Sequence, residues 1–106
     1  MKYSMVISMV AGKAQAEKIA FAVVKEKLAA CANIVPGITS VYWWKGKVEK
    51  AGEYMLVIKT VSSKAGRLVK RVKSLHSYEV PEIVVFDIKS GYPAYLKWIA
   101  ESTGAK

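Results

Sequence analysis

The sequence predicts an α+β fold of the ferredoxin-like kind, a β-α-β-β-α-β sandwich with a long central hairpin and a C-terminal helix. Three observations predict it. Four stretches alternate with period 2, as half-buried strands do. Two stretches with helical spacing follow the first and third of them. Finally, the middle two strands are joined by one tight turn, which gives the antiparallel centre of a split β-α-β unit.

Tyr3 to Val10 reads as the first strand. From about Gly12 to Ala30 the apolar positions Ala16, Ile19, Ala20, Val23, Val24 and Leu28 recur at helical spacing, so one stripe of that helix faces a sheet. Ala32 to Trp44 is the second strand, with Pro36-Gly37 as a bulge or bend, because proline cannot donate to a central ladder. Val48 to Val61 returns as the third. Ser62-Ser63 supplies an N-cap for a helix that packs Leu68, Val72 and Leu75 and ends near His76. Pro81 resets the chain to extended, and Glu82 to Lys89 alternates as the fourth strand. Gly91-Tyr92-Pro93 opens the last helix, with Tyr95, Leu96, Trp98 and Ile99 as its packing residues.

The central hairpin carries an unusual load. Ile38, Ser40, Tyr42 and Trp44 point one way and Thr39, Val41 and Trp43 the other, so aromatic residues crowd a turn where a monomer normally shows polar side chains. Each arm spans about 12 residues, roughly 40 Å at ~3.3 Å per residue, against a radius of gyration near ~13 Å for a domain of this size. The arm therefore overhangs its own domain. Apolar on both faces and open at its edges, it predicts pairing with further copies of the chain, with Tyr42, Trp43 and Trp44 in the contact.

Length allows a single domain over residues 1–106, and an apolar content of 53% with mean hydropathy +0.19 argues for a packed core and against disorder. The longest apolar runs, Ala29 to Ala32 and Ile83 to Phe86, are too short to cross a bilayer, so no membrane is expected as a partner. Lys2, the stretch Met5 to Ala11 and Ala14-Gln15-Ala16 imitate a short secretory leader. Ser8 and Gly12 interrupt that run, and a helix pattern starts directly behind it, so the expected location is cytoplasmic. The single cysteine, Cys31, agrees, since small secreted domains more often pair their cysteines. Seventeen Lys and Arg against eight Asp and Glu give a formal charge of +9. Lys64, Arg67, Lys70, Arg71 and Lys73 cluster without an acid among them, which reads either as a solvated helix face or as an anion-binding patch.

Several segments carry a specific resemblance. They are Leu28-Ala29-Ala30-Cys31-Ala32-Asn33-Ile34, the run Pro36 to Glu49, Ile58-Lys59-Thr60, Leu75-His76-Ser77-Tyr78-Glu79-Val80-Pro81-Glu82-Ile83, and Tyr95-Leu96-Lys97-Trp98-Ile99. In this order and spacing the chain resembles the CutA family, the divalent-cation tolerance proteins also written CutA1. The resemblance implies a compact homotrimer in which long hairpins of three subunits pair, similar in architecture to the PII signalling proteins. It further implies a role in tolerance of divalent metals, copper above all, with no reaction firmly attached. A heterologous contact that closes gives such a ring in place of a twofold dimer.

Cys31 and His76 are the soft and imidazole ligand candidates, and the resemblance makes both of them metal candidates; Glu79 is taken as a third metal candidate and reads equally as the partner of a lysine in a neighbouring subunit. Topology places Cys31 at the start of the second strand and His76 at the opposite end of the sheet, so a shared site has to lie between subunits. Cys31 reads equally as a small buried hydrophobe, and His76 as a cationic cap on its helix C-terminus. The end holding His76, Tyr78, Glu79, Glu82, Trp44 and Glu49 is where a ligand is expected. No cofactor is certain; copper or another divalent metal is the candidate. A PII-like small-ligand site at subunit clefts is the main alternative. RNA binding is disfavoured, because the Lys/Arg-Gly-Phe/Tyr-Gly/Ala-Phe pattern of an RNA-recognition sheet does not occur. Catalysis is not expected either: one histidine, with no nucleophile in a recognisable setting and no glycine-rich phosphate loop, leaves nothing to assemble into a reaction.

Overall fold

A computed structural model describes residues 1–105. Its elements run β1 (Tyr3–Val10), α1 (Lys13–Lys25), β2 (Cys31–Trp44), β3 (Lys47–Val61), a short 3₁₀ turn (Ser62–Lys64), α2 (Ala65–Leu75), β4 (Ile83–Ile88) and α3 (Pro93–Ser102). The four strands form one antiparallel sheet in the order β2-β3-β1-β4, which is the ferredoxin-like arrangement expected.

Helices α1 and α2 cover one face of this sheet. Val6 and Val10 of β1 and Leu56 and Ile58 of β3 meet Ile19 and Val23 of α1 and Leu68 and Val72 of α2 in the main core, all fully buried. Two serines also point to this covered face, and each finds a partner. Ser4 shares a 2.7 Å hydrogen bond with the Ser62 hydroxyl, and Ser8 donates to the Glu82 carbonyl at 2.7 Å. Ser62 is thus not the helix cap that its position suggested: Lys64 precedes α2 with no side-chain cap, and the serine instead ties the exit of β3 to β1.

Helix α1 stops five residues short of the expected Ala30. The amides of Lys27 and Leu28 turn back to the carbonyls of Val24 and Val23, and Lys27 adopts φ 60°. This is a Schellman ending with lysine at the left-handed position where glycine is usual. It frees Leu28 and Ala29 to pack on the core as a turn.

On the opposite face α3 packs Ile99 and Ala100 against Val61, Ala30 and Tyr3, covering only the end of the sheet where β1 starts. Tyr95 and Trp98, expected as packing residues, instead stack on each other at 5.6 Å and stay about 40% exposed. Beyond α3 the face is apolar and open. Met5, Ile7 and Met9 of β1 alternate there with half-buried Met55 and Val57 of β3, beside exposed Val84 and Phe86 of β4.

The hairpin projects as the alternation required. Pairing of β3 with β1 ends at Tyr54 and Val10, whereas β2 and β3 continue together to Trp44 and Lys47. The register shifts between Val35 and Ile38, where Gly37 takes φ +74°, so the expected bulge is in place. Lys45 and Gly46 close the tip with positive φ at both positions, the type I′ geometry that suits the twist of two-residue hairpins. The molecule measures 46 × 25 × 23 Å, and its long axis owes its length to a two-stranded arm that is exposed throughout residues 41–50.

Candidate functional site

A cleft of about 790 Å³ opens where the arm leaves the domain. One wall is the arm itself, with Tyr42, Trp43 and Trp44; the other is the segment between α2 and β4, with Ser77, Tyr78, Glu79 and Glu82. Register explains the first wall. Tyr42 and Trp44 stand opposite Glu49 and Lys47, on the same face as Glu53 and Met55, so they look along the uncovered side of the sheet. The second wall exists because β4 pairs with β1 only as far as Ser8, which leaves the chain before Ile83 free to cross the end of β1.

The floor is a carboxylate. Glu53 is 8% exposed, and its Oε2 accepts a 2.6 Å hydrogen bond from the Tyr78 hydroxyl. Burial first, and then the bond to Glu53, push the Tyr78 phenol well above its ordinary value, so it stays a donor across the physiological range. Glu53 was not among the residues picked from the sequence, although the signal is there: it is an acid on the same side of the strand as Met55 and Val57.

His76 lies behind this wall. Its Nε2 bonds the Met9 carbonyl at 2.7 Å, and its Nδ1 accepts the Tyr78 backbone N–H at 3.1 Å. With both ring nitrogens engaged, the imidazole clamps the Ser77–Glu82 segment to the end of β1, and a metal has to displace one of these bonds. The ring also leans on Tyr78, with centroids 4.8 Å apart. Glu79 is exposed on the cleft wall, while Glu49 is exposed farther along the arm and does not line the cleft.

Cys31 sits at the other end of the sheet. Half-buried and not fully enclosed, its Sγ lies 3.7 Å from the Tyr95 hydroxyl and 3.8 Å from Asn33 Oδ1, which itself accepts a 2.6 Å bond from Lys59. Burial and this contact raise the Tyr95 phenol above its usual range. Cys31 is therefore not brought together with His76 and Glu79 in this chain. Among the described residues no three of His, Cys, Asp and Glu gather as a metal shell. One protomer's donor set does not by itself fit a bound metal.

Comparison with known proteins places this architecture. The profile of the CutA1 divalent ion tolerance protein family matches residues 4–102. The chain belongs to the CutA1 family. It is 51% identical over 89 residues to the divalent-cation tolerance protein CutA of Thermus thermophilus, covering 84% of this chain and 86% of that one. It is 48% identical over 94 residues to the chloroplastic protein CutA 1 of rice, covering 89% of this chain and 53% of the relative. The chain thus spans about half the length of the rice CutA protein. Among solved structures, CutA from Xylella fastidiosa superposes with a TM-score of 0.94 at 34% identity, over 97% of this chain and 99% of that one. CutA1 membership accounts for the long arm and the sheet order together, and the family carries the name of a tolerance protein, not of an enzyme. Among the described residues no helix is long and apolar enough to cross a membrane.

Proposed function

We propose that this CutA1 chain acts in the tolerance of or response to divalent metal ions, copper foremost, as a cytoplasmic homotrimer that binds and does not catalyse. The observation that carries the reading is the unfinished protomer. On the arm Tyr42 and Trp44, 42% and 40% exposed, continue the open apolar sheet face, Val41 and Trp43 leave its other face bare as well, and further copies of the chain carry surfaces of the same kind to cover them. Three copies also resolve the separation of the ligand candidates. Cys31 lies at the opposite end of the sheet from His76 and Glu79, so in this reading neighbouring subunits contribute the missing donors, with Tyr42, Trp43 and Trp44 forming the contact that aligns them.

Titration calorimetry with copper and with zinc on the assembled protein tests this. Uptake by the wild type that is lost in His76→Ala and weakened in Glu79→Gln is the expected result. No uptake of either ion by the wild type ends the metal reading, and undiminished uptake in both variants removes these residues from it.

A further inference from the structure

The positive charge finds no use in the site above, whose walls are acidic and aromatic. It is concentrated on the other side of the molecule, along the outer surface of the α1–α2 layer. On α2, Arg67, Lys70 and Lys73 are exposed, and no acid stands on that helix. On α1 and its exit turn, Lys13, Lys18, Lys25 and Lys27 are exposed. The acids of the layer are Glu17 and Glu26, and Glu26 is engaged at 2.9 Å by Arg71, which joins the two helices. Lys64 is not part of the free charge, because its ammonium donates to the Lys27 and Thr103 carbonyls.

A second observation concerns Phe21. This phenylalanine is 74% exposed, on the side of α1 opposite the buried stripe of Ala16, Ile19, Ala20 and Val23. Lys18 and Lys25, three residues before and four after, share its ridge, and Glu17, four before, is the acid beside it. Val24, 38% exposed, extends the apolar spot. An aromatic ring set among lysines on the outer surface of two helices matches an anionic bilayer, where the cations meet phosphates and the ring enters the boundary between headgroups and chains. Nucleic acid fits less well, because this ridge offers neither a groove-shaped element nor a stacking platform.

We propose that the outer face of α1 and α2 is a peripheral docking surface for anionic lipid, with Phe21 inserting and Lys18, Lys25, Arg67 and Lys70 meeting the headgroups. The surface lies on the side of the sheet away from both the open apolar face and the cleft, so assembly through those leaves it outward. Several copies in one assembly multiply a weak contact into a useful one.

Co-sedimentation with vesicles tests it, using neutral phosphatidylcholine against a mixture rich in phosphatidylglycerol at low salt. Retention on the anionic vesicles alone, fading as salt rises, is the expected result. Arg67→Ala with Lys70→Ala lowers the apparent affinity about twenty-five-fold, at roughly fivefold for each cation removed. Phe21→Ala lowers it about tenfold and leaves the far-ultraviolet dichroism unchanged, since the ring packs on nothing that folding requires. Equal behaviour on neutral and anionic vesicles overturns the proposal. An unaltered affinity in Phe21→Ala overturns the insertion, and retention on duplex DNA without retention on vesicles assigns the patch to nucleic acid instead.

Discussion

Glu53 and Tyr78 show how single side chains hold the cleft in shape. A carboxylate at 8% exposure depends on its donor, so Tyr78→Phe strands it and is expected to lower stability by about 1–3 kcal/mol, read from urea unfolding. The same pair sets a dependence on alkaline pH. Because the folded phenol titrates above its unfolded value of 10.0, the native state holds the proton longer. The contribution is full below that pH and is lost as pH climbs through the raised folded value. Wild type is therefore expected to lose more stability than Tyr78→Phe between neutral and strongly alkaline solution. His76 was legible as a residue of interest, but its pairing with the Met9 carbonyl was not, since the two are separated by 67 positions and meet only through folding.

Among elements, the strands were the most readable. Tyr3–Val10 was readable to the residue, and the bulge at Pro36-Gly37 was announced by a residue that cannot donate and one that tolerates positive φ. The end of α1 was hidden for the opposite reason: Leu28 keeps the helical spacing, although the chain has already turned at Lys27. A lysine held at φ 60° is strained relative to glycine, so Lys27→Gly is expected to raise stability by about 1 kcal/mol, measured as a higher midpoint of thermal unfolding. The bond from Lys64 to the Lys27 carbonyl survives that change, because it uses the backbone. Capping of α2 misled for a related reason. Ser62 is the right residue type, but a 3₁₀ turn over Ser62–Lys64 moves the start of α2 to Ala65, and a serine across the sheet takes the Ser62 hydroxyl.

At the scale of the whole molecule, the two faces of the sheet have different fates. One is sealed by α1 and α2; the other keeps methionine, isoleucine, valine and phenylalanine only partly covered and runs on into the aromatic arm. If the proposed trimer forms, Trp44→Ala is expected to shift it toward monomer in sedimentation velocity at micromolar concentration while leaving the far-ultraviolet dichroism intact. The ring is 40% exposed and belongs to neither buried cluster, so its loss acts on association first. An unchanged sedimentation profile removes Trp44 from the contact. The helix layer, facing the other way, carries the free positive charge and the exposed Phe21.

Periodicity, turn chemistry and the sheer length of two strands were local properties, so the chain alone determined the order of elements, the bulge and the overhanging arm. Which face of β1 is sealed was not local. Ser4 and Ser8 lie on the buried side and Met5, Ile7 and Met9 on the open one, because the serines find partners in distant segments while α1 and α2 bring enough apolar surface to close over them. The Tyr78–Glu53 bond, the clamp at His76 and the separation of Cys31 from both depend on contacts between residues far apart in sequence, and only the packed tertiary structure decides those.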